Sequence, residues 1–169
     1  MRTSAALLLL LLLLLPRVRA ASPDAVTRGD FVVLLWESAG AVPGDAAQGF
    51  SDVHRDDPCS TAVGWAAERR LVLGTGGGRF EPDRPITWEE AAVLLRRWAA
   101  LQGRDTTLPT GAAGCIGCPQ PSPWADDALC WAADTGLLDR SPDSRLDPGG
   151  TLTSAEAADL FHRFCCEQP

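Results

Sequence analysis

Six cysteines, Cys59, Cys115, Cys118, Cys130, Cys165 and Cys166, are the side chains of this 169-residue sequence whose type and spacing suggest chemistry most directly. Cys115-Ile116-Gly117-Cys118 has the spacing of a metal-ligand pair, and His162, Cys165 and Cys166 fall on one late helix, so a metal site is one reading. Disulfides are the preferred one, because the count is even and the chain opens on what reads as an export signal. Every pairing of the six stays open. A catalytic redox pair is disfavoured, since no strand-then-helix context surrounds Cys115 to Cys118.

Other stretches invite chemistry and then withhold it. The loop Gly74-Thr75-Gly76-Gly77-Gly78 suggests phosphate, yet it lacks the Lys-Ser/Thr of a phosphate loop and follows no clear strand. It reads as a turn that needs positive φ. Asp139 to Gly150 carries acids at intervals reminiscent of a calcium loop, without the central Gly and closing Glu, and reads as a solvated turn. For nucleophilic catalysis there are only His54 and His162, no Tyr, no Lys and no Gly-x-Ser-x-Gly. His54, among Asp52, Asp56 and Asp57, suits a surface role. Paired carboxylates could serve glycoside hydrolysis. However, Glu90 and Glu156 are assigned to helix caps, and the other acids sit mostly in loops without an evident partner. The expectation is a protein without catalytic activity, bound metal or cofactor.

The ends and the charge narrow the class. Arg2, the run Leu7 to Leu15, Pro16 and then Val18-Arg19-Ala20 form a secretory signal over residues 1–20, with cleavage after Ala20. An uncleaved anchor is the alternative. The apolar core is short of the roughly 20 residues that span a bilayer, and no later run is long enough, so no membrane span is expected after cleavage. Residues 21–169 suit one domain. Loss of Arg2, Arg17 and Arg19 takes the formal charge from −7 to −10. That acidity disfavours nucleic acid and anionic membranes as partners. All basic side chains are Arg, whose planar fork suits carboxylate and phosphate groups.

Compared with itself, the chain shows which elements hold these residues. Val26-Thr27-Arg28-Gly29-Asp30-Phe31 recurs as Ile86-Thr87-Trp88-Glu89-Glu90-Ala91 and as Leu152-Thr153-Ser154-Ala155-Glu156-Ala157. Each is a helix start, with Thr27, Thr87 or Thr153 as cap, Asp30, Glu90 or Glu156 closing a capping box, and an apolar residue before the cap placed to staple onto the helix. Behind them Phe31, Leu34 and Leu35, then Ala91, Leu94, Leu95 and Trp98, then Ala157, Leu160, Phe161 and Phe164 form apolar stripes that none of the helices could bury alone. Between the second and third copies the match extends backwards at a constant offset of 66 residues: Trp65 with Trp131, Leu71 with Leu137, Phe80 with Leu146, Pro82 with Pro148. The unit is therefore helix, turn, helix, its first helix spanning about Pro58 to Arg70 and Pro123 to Thr135. Trp65 and Trp131 read as core.

In order along the chain stand Phe50-Ser51-Asp52-Val53, Ala62-Val63, Leu71-Val72, Gly74, Phe80-Glu81-Pro82 and Ile86-Thr87. A second set follows: Trp124, Ala128-Leu129, Gly136-Leu137-Leu138, Leu146-Asp147-Pro148 and Leu152-Thr153. This pattern resembles the S-layer homology family, as a lone Thr-Arg helix (26–40), a first repeat (50–102) and a second repeat (116–166). The resemblance implies a mainly α fold, a pseudo-threefold helical bundle with short extended segments. It also implies grooves that bind secondary cell-wall polysaccharide at the bacterial surface, often through pyruvylated, negatively charged sugars. Carbohydrate contacts are then expected from Thr27, Arg28, Asp30, Asp52, Gly74, Gly76, Thr87 and Trp88. The sequence departs from the family at Trp88 and Ser154, which replace its Arg, at Cys118, which replaces an Asp, and at Pro58, which replaces a Trp.

Arg28 can be weighed without the family. At a first helical position the dipole disfavours a cation, whereas free amides beside a guanidinium suit a carboxylate ligand. The alternative is an exposed Arg paired with Asp24 or Asp30. Trp88 either stacks on a sugar or covers a hydrophobic seam. For the whole chain the alternative to wall binding is a disulfide-stabilised secreted scaffold that contacts another protein.

Overall fold

The cap at Thr27 forms as its residue types dictate. In the computed structural model its hydroxyl accepts the Asp30 amide at 3.1 Å while Asp30 Oδ2 accepts from the Thr27 amide and hydroxyl at 3.3 and 2.7 Å, and helix α1 runs Arg28–Ser38. Thr87 and Glu90 repeat the box at α3, Trp88–Leu101. Thr153 and Glu156 repeat it at α5, Ser154–Cys166. Between them lie α2, Ser60–Glu68, and α4, Asp126–Asp134. The structure describes residues 24–42, 44–45, 49–108, 121–138 and 146–166. Among these there are five helices and no strand, only isolated β-bridges, so the fold is mainly α as expected. The expected signal segment, Cys115 and Cys118 lie outside the described residues.

α2 and α4 are shorter than the spacing predicts, because neither has a side chain to cap it. Cys59 and Ala125 stand at the cap positions without such a bond, and each helix grows instead out of a turn in which Asp57 O accepts the Ser60 amide and Ser122 O accepts the Ala125 and Asp126 amides. α2 ends on paired turns from Arg70 N–H to Ala67 O and Leu71 N–H to Ala66 O, which place Arg70 in the left-handed region at φ 55°. Gly136, 66 residues on, takes the same conformation in the second copy, at φ 76°. Since a left-handed backbone costs a side-chain-bearing residue roughly 1–2 kcal/mol, Arg70→Gly is expected to stabilise the protein by about 1 kcal/mol in urea unfolding.

The chain divides between Ile86 and Thr87 into two units, each with its own core. In the first, α1 packs on α2, and Phe31, Leu34, Leu35, Trp65, Leu71, Phe80 and Ile86 are closed to solvent. In the second, α3 packs on α4, and Leu95, Leu129, Trp131, Leu152, Phe161 and Phe164 are closed likewise. The apolar stripes are buried as their periodicity predicts, except that Trp98 is only half-buried.

Each unit holds its capped helix start against the loop that follows its Ala-rich helix. In the first unit Arg28 N–H donates to Arg84 O at 2.8 Å and Gly29 N–H to Pro82 O at 2.9 Å, Thr27 bridges to Pro85, and Ile86 N–H donates to Val26 O at 2.9 Å. In the second, Trp88 N–H donates to Gly150 O at 3.1 Å, Glu89 N–H to Pro148 O at 3.0 Å, and Thr87 bridges to Thr151. The 66-residue offset read from sequence therefore carries Pro82 onto Pro148, Arg84 onto Gly150 and Pro85 onto Thr151 as the loop partners of the helix start. It follows that the amides expected to be free at the start of α1 are not free: the first two bind loop carbonyls and the third binds Thr27.

Candidate functional site

Arg28 is the residue on which the sequence concentrates most meaning, and the loop beneath it fixes its pose. Its Nε donates to Phe80 O at 3.0 Å, and its guanidinium carbon lies 4.8 Å from the centre of the Phe80 ring, so hydrogen bonding and cation–π attraction act together. The residue is 8 % exposed. Local packing thus accounts for a cation that the helix dipole alone would disfavour, and Arg28 is buried where the alternative reading has it exposed.

Asp52 and Gly74 are brought to the same loop, in structural roles. Asp52 accepts the amides of Phe80 and Glu81, both at 2.8 Å, and Arg79 Nε at 3.5 Å. Burial would raise its pKa, but these donors overcome burial and hold the carboxyl below its ordinary value. Glu81 sits at φ 61°, a conformation a side-chain-bearing residue keeps only under constraint, and the Asp52 carboxylate supplies one. Gly74, Gly76, Gly77 and Gly78 all have positive φ, as the turn reading requires. Phe50 stacks tilted on Phe80, ring centres 5.5 Å apart. Thr27, Arg28, Asp30, Asp52 and Gly74 therefore gather around residues 79–85, while Gly76 lies out on the hairpin where Thr75 N–H meets Arg79 O.

In the second unit Thr87 is the cap and Trp88, half-buried, takes the place of Arg28. Trp88 lines a groove of about 690 Å³ together with Leu138, Leu146, Glu156, Asp159 and Leu160. Asp159 pairs with Arg163 at 2.8 Å. One residue that sequence reasoning assigned no role is Glu89, buried beside Trp88, whose Oε1 accepts the Ser122 amide at 2.6 Å. An acid at the second position of a helix reads as a dipole partner, and nothing in its type announces the bond to a residue 33 positions away.

The cysteines and histidines stand apart from these loops or beneath them. Cys59, Cys130, Cys165 and Cys166 are thiols, and no bridge joins any two of the four. Among the described residues no three His, Cys, Asp or Glu side chains gather to hold a metal. His54 is exposed beside Asp57, Nδ1 3.6 Å from the carboxylate. Burial, reinforced by Asp57, pushes the Cys59 thiol up to about 11. Because the thiolate is the reacting form, iodoacetamide at pH 8 should label Cys166, which is exposed, well before Cys59, with Cys59 labelling rising steeply only as pH approaches 11. Peptide mapping of the alkylated protein checks this order.

Known proteins resemble this chain over much of its length. Residues 49–92 match the S-layer homology domain. The chain is 30% identical over 114 residues to "Cell surface glycoprotein 1" of Acetivibrio thermocellus, covering 67% of this chain and 5% of the relative. It is 30% identical over 112 residues to the "Cellulosome-anchoring protein" of the same organism, covering 66% and 24%. To the "Amylopullulanase" of Thermoanaerobacterium thermosulfurigenes it is 27% identical over 139 residues, covering 81% and 7%. The chain thus spans no more than about a quarter of the length of these relatives. No described helix is long and apolar enough to cross a membrane. The matched segment contains the Asp52 clamp, the Phe80-Glu81-Pro82 loop and the Thr87 cap, and with it this chain carries a domain of the S-layer homology family.

Proposed function

We propose that this protein is an exported, non-catalytic module that holds bacterial cell-wall polysaccharide without a covalent bond, at the loop that fixes Arg28. It is a surface protein of the cell-wall-binding class. The match over residues 49–92 carries the reading, because it covers the elements that clamp that loop under Arg28. A relative named for anchoring supports it. Arg28, held by Nε on Phe80 O, is the cation of this loop, and a guanidinium suits a carboxylate such as that of a pyruvylated sugar. Thr27 and Asp30 position it through the cap, Asp52 and Gly74 through the loop, and Thr87 with Trp88 forms the corresponding helix start in the second unit.

Sedimentation with purified bacterial cell walls tests this. The protein should pellet with the walls, and Arg28→Ala, checked for an intact fold by circular dichroism, should weaken retention about tenfold or more, the usual loss for a charge-assisted bond. A folded protein that stays in the supernatant at all wall concentrations would sink the proposal and favour the secreted scaffold that contacts another protein.

A further inference from the structure

The groove beside Trp88 differs in chemistry from the Arg28 loop, although the repeat places the two helix starts in equivalent positions. Where the first unit presents a cation, the second presents an indole. The Trp88 amide is fixed on Gly150 O, and the indole lines a cleft whose apolar part is formed with Leu137, Leu138, Leu146 and Leu160. The volume, about 690 Å³, suits a short run of sugar rings rather than a single small ion.

Among the described residues the charged groups lining this cleft are Asp147, Glu156, Asp159 and Arg163. Arg163 is paired with Asp159 Oδ2 at 2.8 Å, which among the described lining residues leaves the negative charges of Asp147 and Glu156 in excess. Each carboxylate has one oxygen in an internal bond: Asp147 Oδ1 accepts the Gly149 amide at 3.1 Å, and Glu156 Oε2 accepts the Thr153 amide and hydroxyl, both at 2.8 Å. The other oxygens are what the carboxylates offer a ligand, and ionised carboxylates only accept hydrogen bonds. A ligand that suits the cleft therefore brings donors and an apolar face, and carries no negative charge.

We propose that the Trp88 groove binds an uncharged sugar segment, ring face against the indole and hydroxyls donated to Asp147, Glu156 and Asp159, while acid-bearing sugars are left to Arg28. This rests on the proposed wall binding and adds the ligand class of a second subsite. An anionic sugar would face the excess carboxylate charge in a partly enclosed cleft, whereas hydroxyls on carboxylates make charge-assisted bonds.

The test uses the full chain and purified cell-wall polysaccharide, either intact or carboxyl-reduced so that every sugar is neutral, with affinities from isothermal titration calorimetry. The wild type should bind the reduced polymer. Trp88→Ala should bind it about tenfold more weakly, the scale of a lost aromatic contact, and Trp88→Phe should recover part of the loss. Thermal melts confirm that the variants are folded. If the wild type binds the intact polymer but not the reduced one, or if Trp88→Ala binds the reduced polymer as the wild type does, the neutral subsite is wrong while wall binding stands. If the wild type binds neither polymer, both proposals fall. Tight binding of oligolysine that the reduced polymer cannot displace would mark the groove as a site for basic peptides and overturn the sugar assignment.

Discussion

Gly74→Ala is expected to destabilise the protein by about 3 kcal/mol, from two effects that add at one atom. At φ 77° a side-chain-bearing residue pays roughly 1–2 kcal/mol for its backbone alone. The new Cβ would also stand 2.6 Å from Arg79 O and 2.9 Å from the Phe50 ring, distances that force a shift. Arg79 O cannot simply retreat, because it accepts the Thr75 amide at 2.8 Å and closes the hairpin. Phe50 is held against Phe80 on the other side. Gly76→Ala is the control: its φ is also positive, but nothing lies within 4 Å of its Cβ. It should cost only about 1 kcal/mol, the backbone part. Thermal unfolding would show the contrast as a drop in Tm of roughly 10 °C or more for the first and only a few degrees for the second. Equal losses would mean that the Arg79 and Phe50 contacts do not matter.

Asp52→Ala is expected to cost about as much, near 3 kcal/mol, because it leaves the Phe80 and Glu81 amides without their acceptor and releases Glu81 from its constraint. The loss should carry a pH signature. Asp52 has a lowered pKa in the folded state, so the unfolded chain holds this proton more tightly than the folded one. Its contribution is present in full above the unfolded value of about 3.9 and is lost as pH falls through the lower folded value. Urea unfolding between pH 7 and pH 2 should therefore show the gap between wild type and variant steady down to about pH 4.5 and closing below it. A gap that persists unchanged at pH 2 would show that the carboxylate charge is not what holds the loop.

These two residues also mark where sequence reading succeeds and where it stops. The three Thr caps, the apolar stripes and the buried Trp65 and Trp131 were legible because each depends on residue type at short range: a hydroxyl three positions from a carboxylate, or apolar side chains at helical spacing. Gly74 was legible as a turn glycine for the same reason. Asp52 was placed with the ligand contacts, since a carboxylate that accepts loop amides and one that accepts sugar hydroxyls look alike in sequence. The amides at the start of α1 were expected to be free because their partners, Pro82 O and Arg84 O, are backbone atoms whose direction is set by the fold of the loop. Glu89 went unassigned because its acceptor role depends on where Ser122 arrives. What was missed in each case is a bond between backbone and a distant element, and such bonds leave no mark in residue type.

The docking of each capped helix on the loop that follows it sets the modular boundaries of this protein. Residues 49–92 are one unit by sequence, but the loop within them is closed by α1, which precedes them, and the capped helix that ends them belongs with the loop 66 residues further on. A gene fragment cut at the sequence borders would encode a loop without its helix and a helix without its loop. The fragment that keeps every docking bond of the first unit instead starts ahead of Val26 and ends at Ile86. Domain exchanges, deletions and fusions should therefore be joined between Ile86 and Thr87, one helix out of phase with the repeat as it is written.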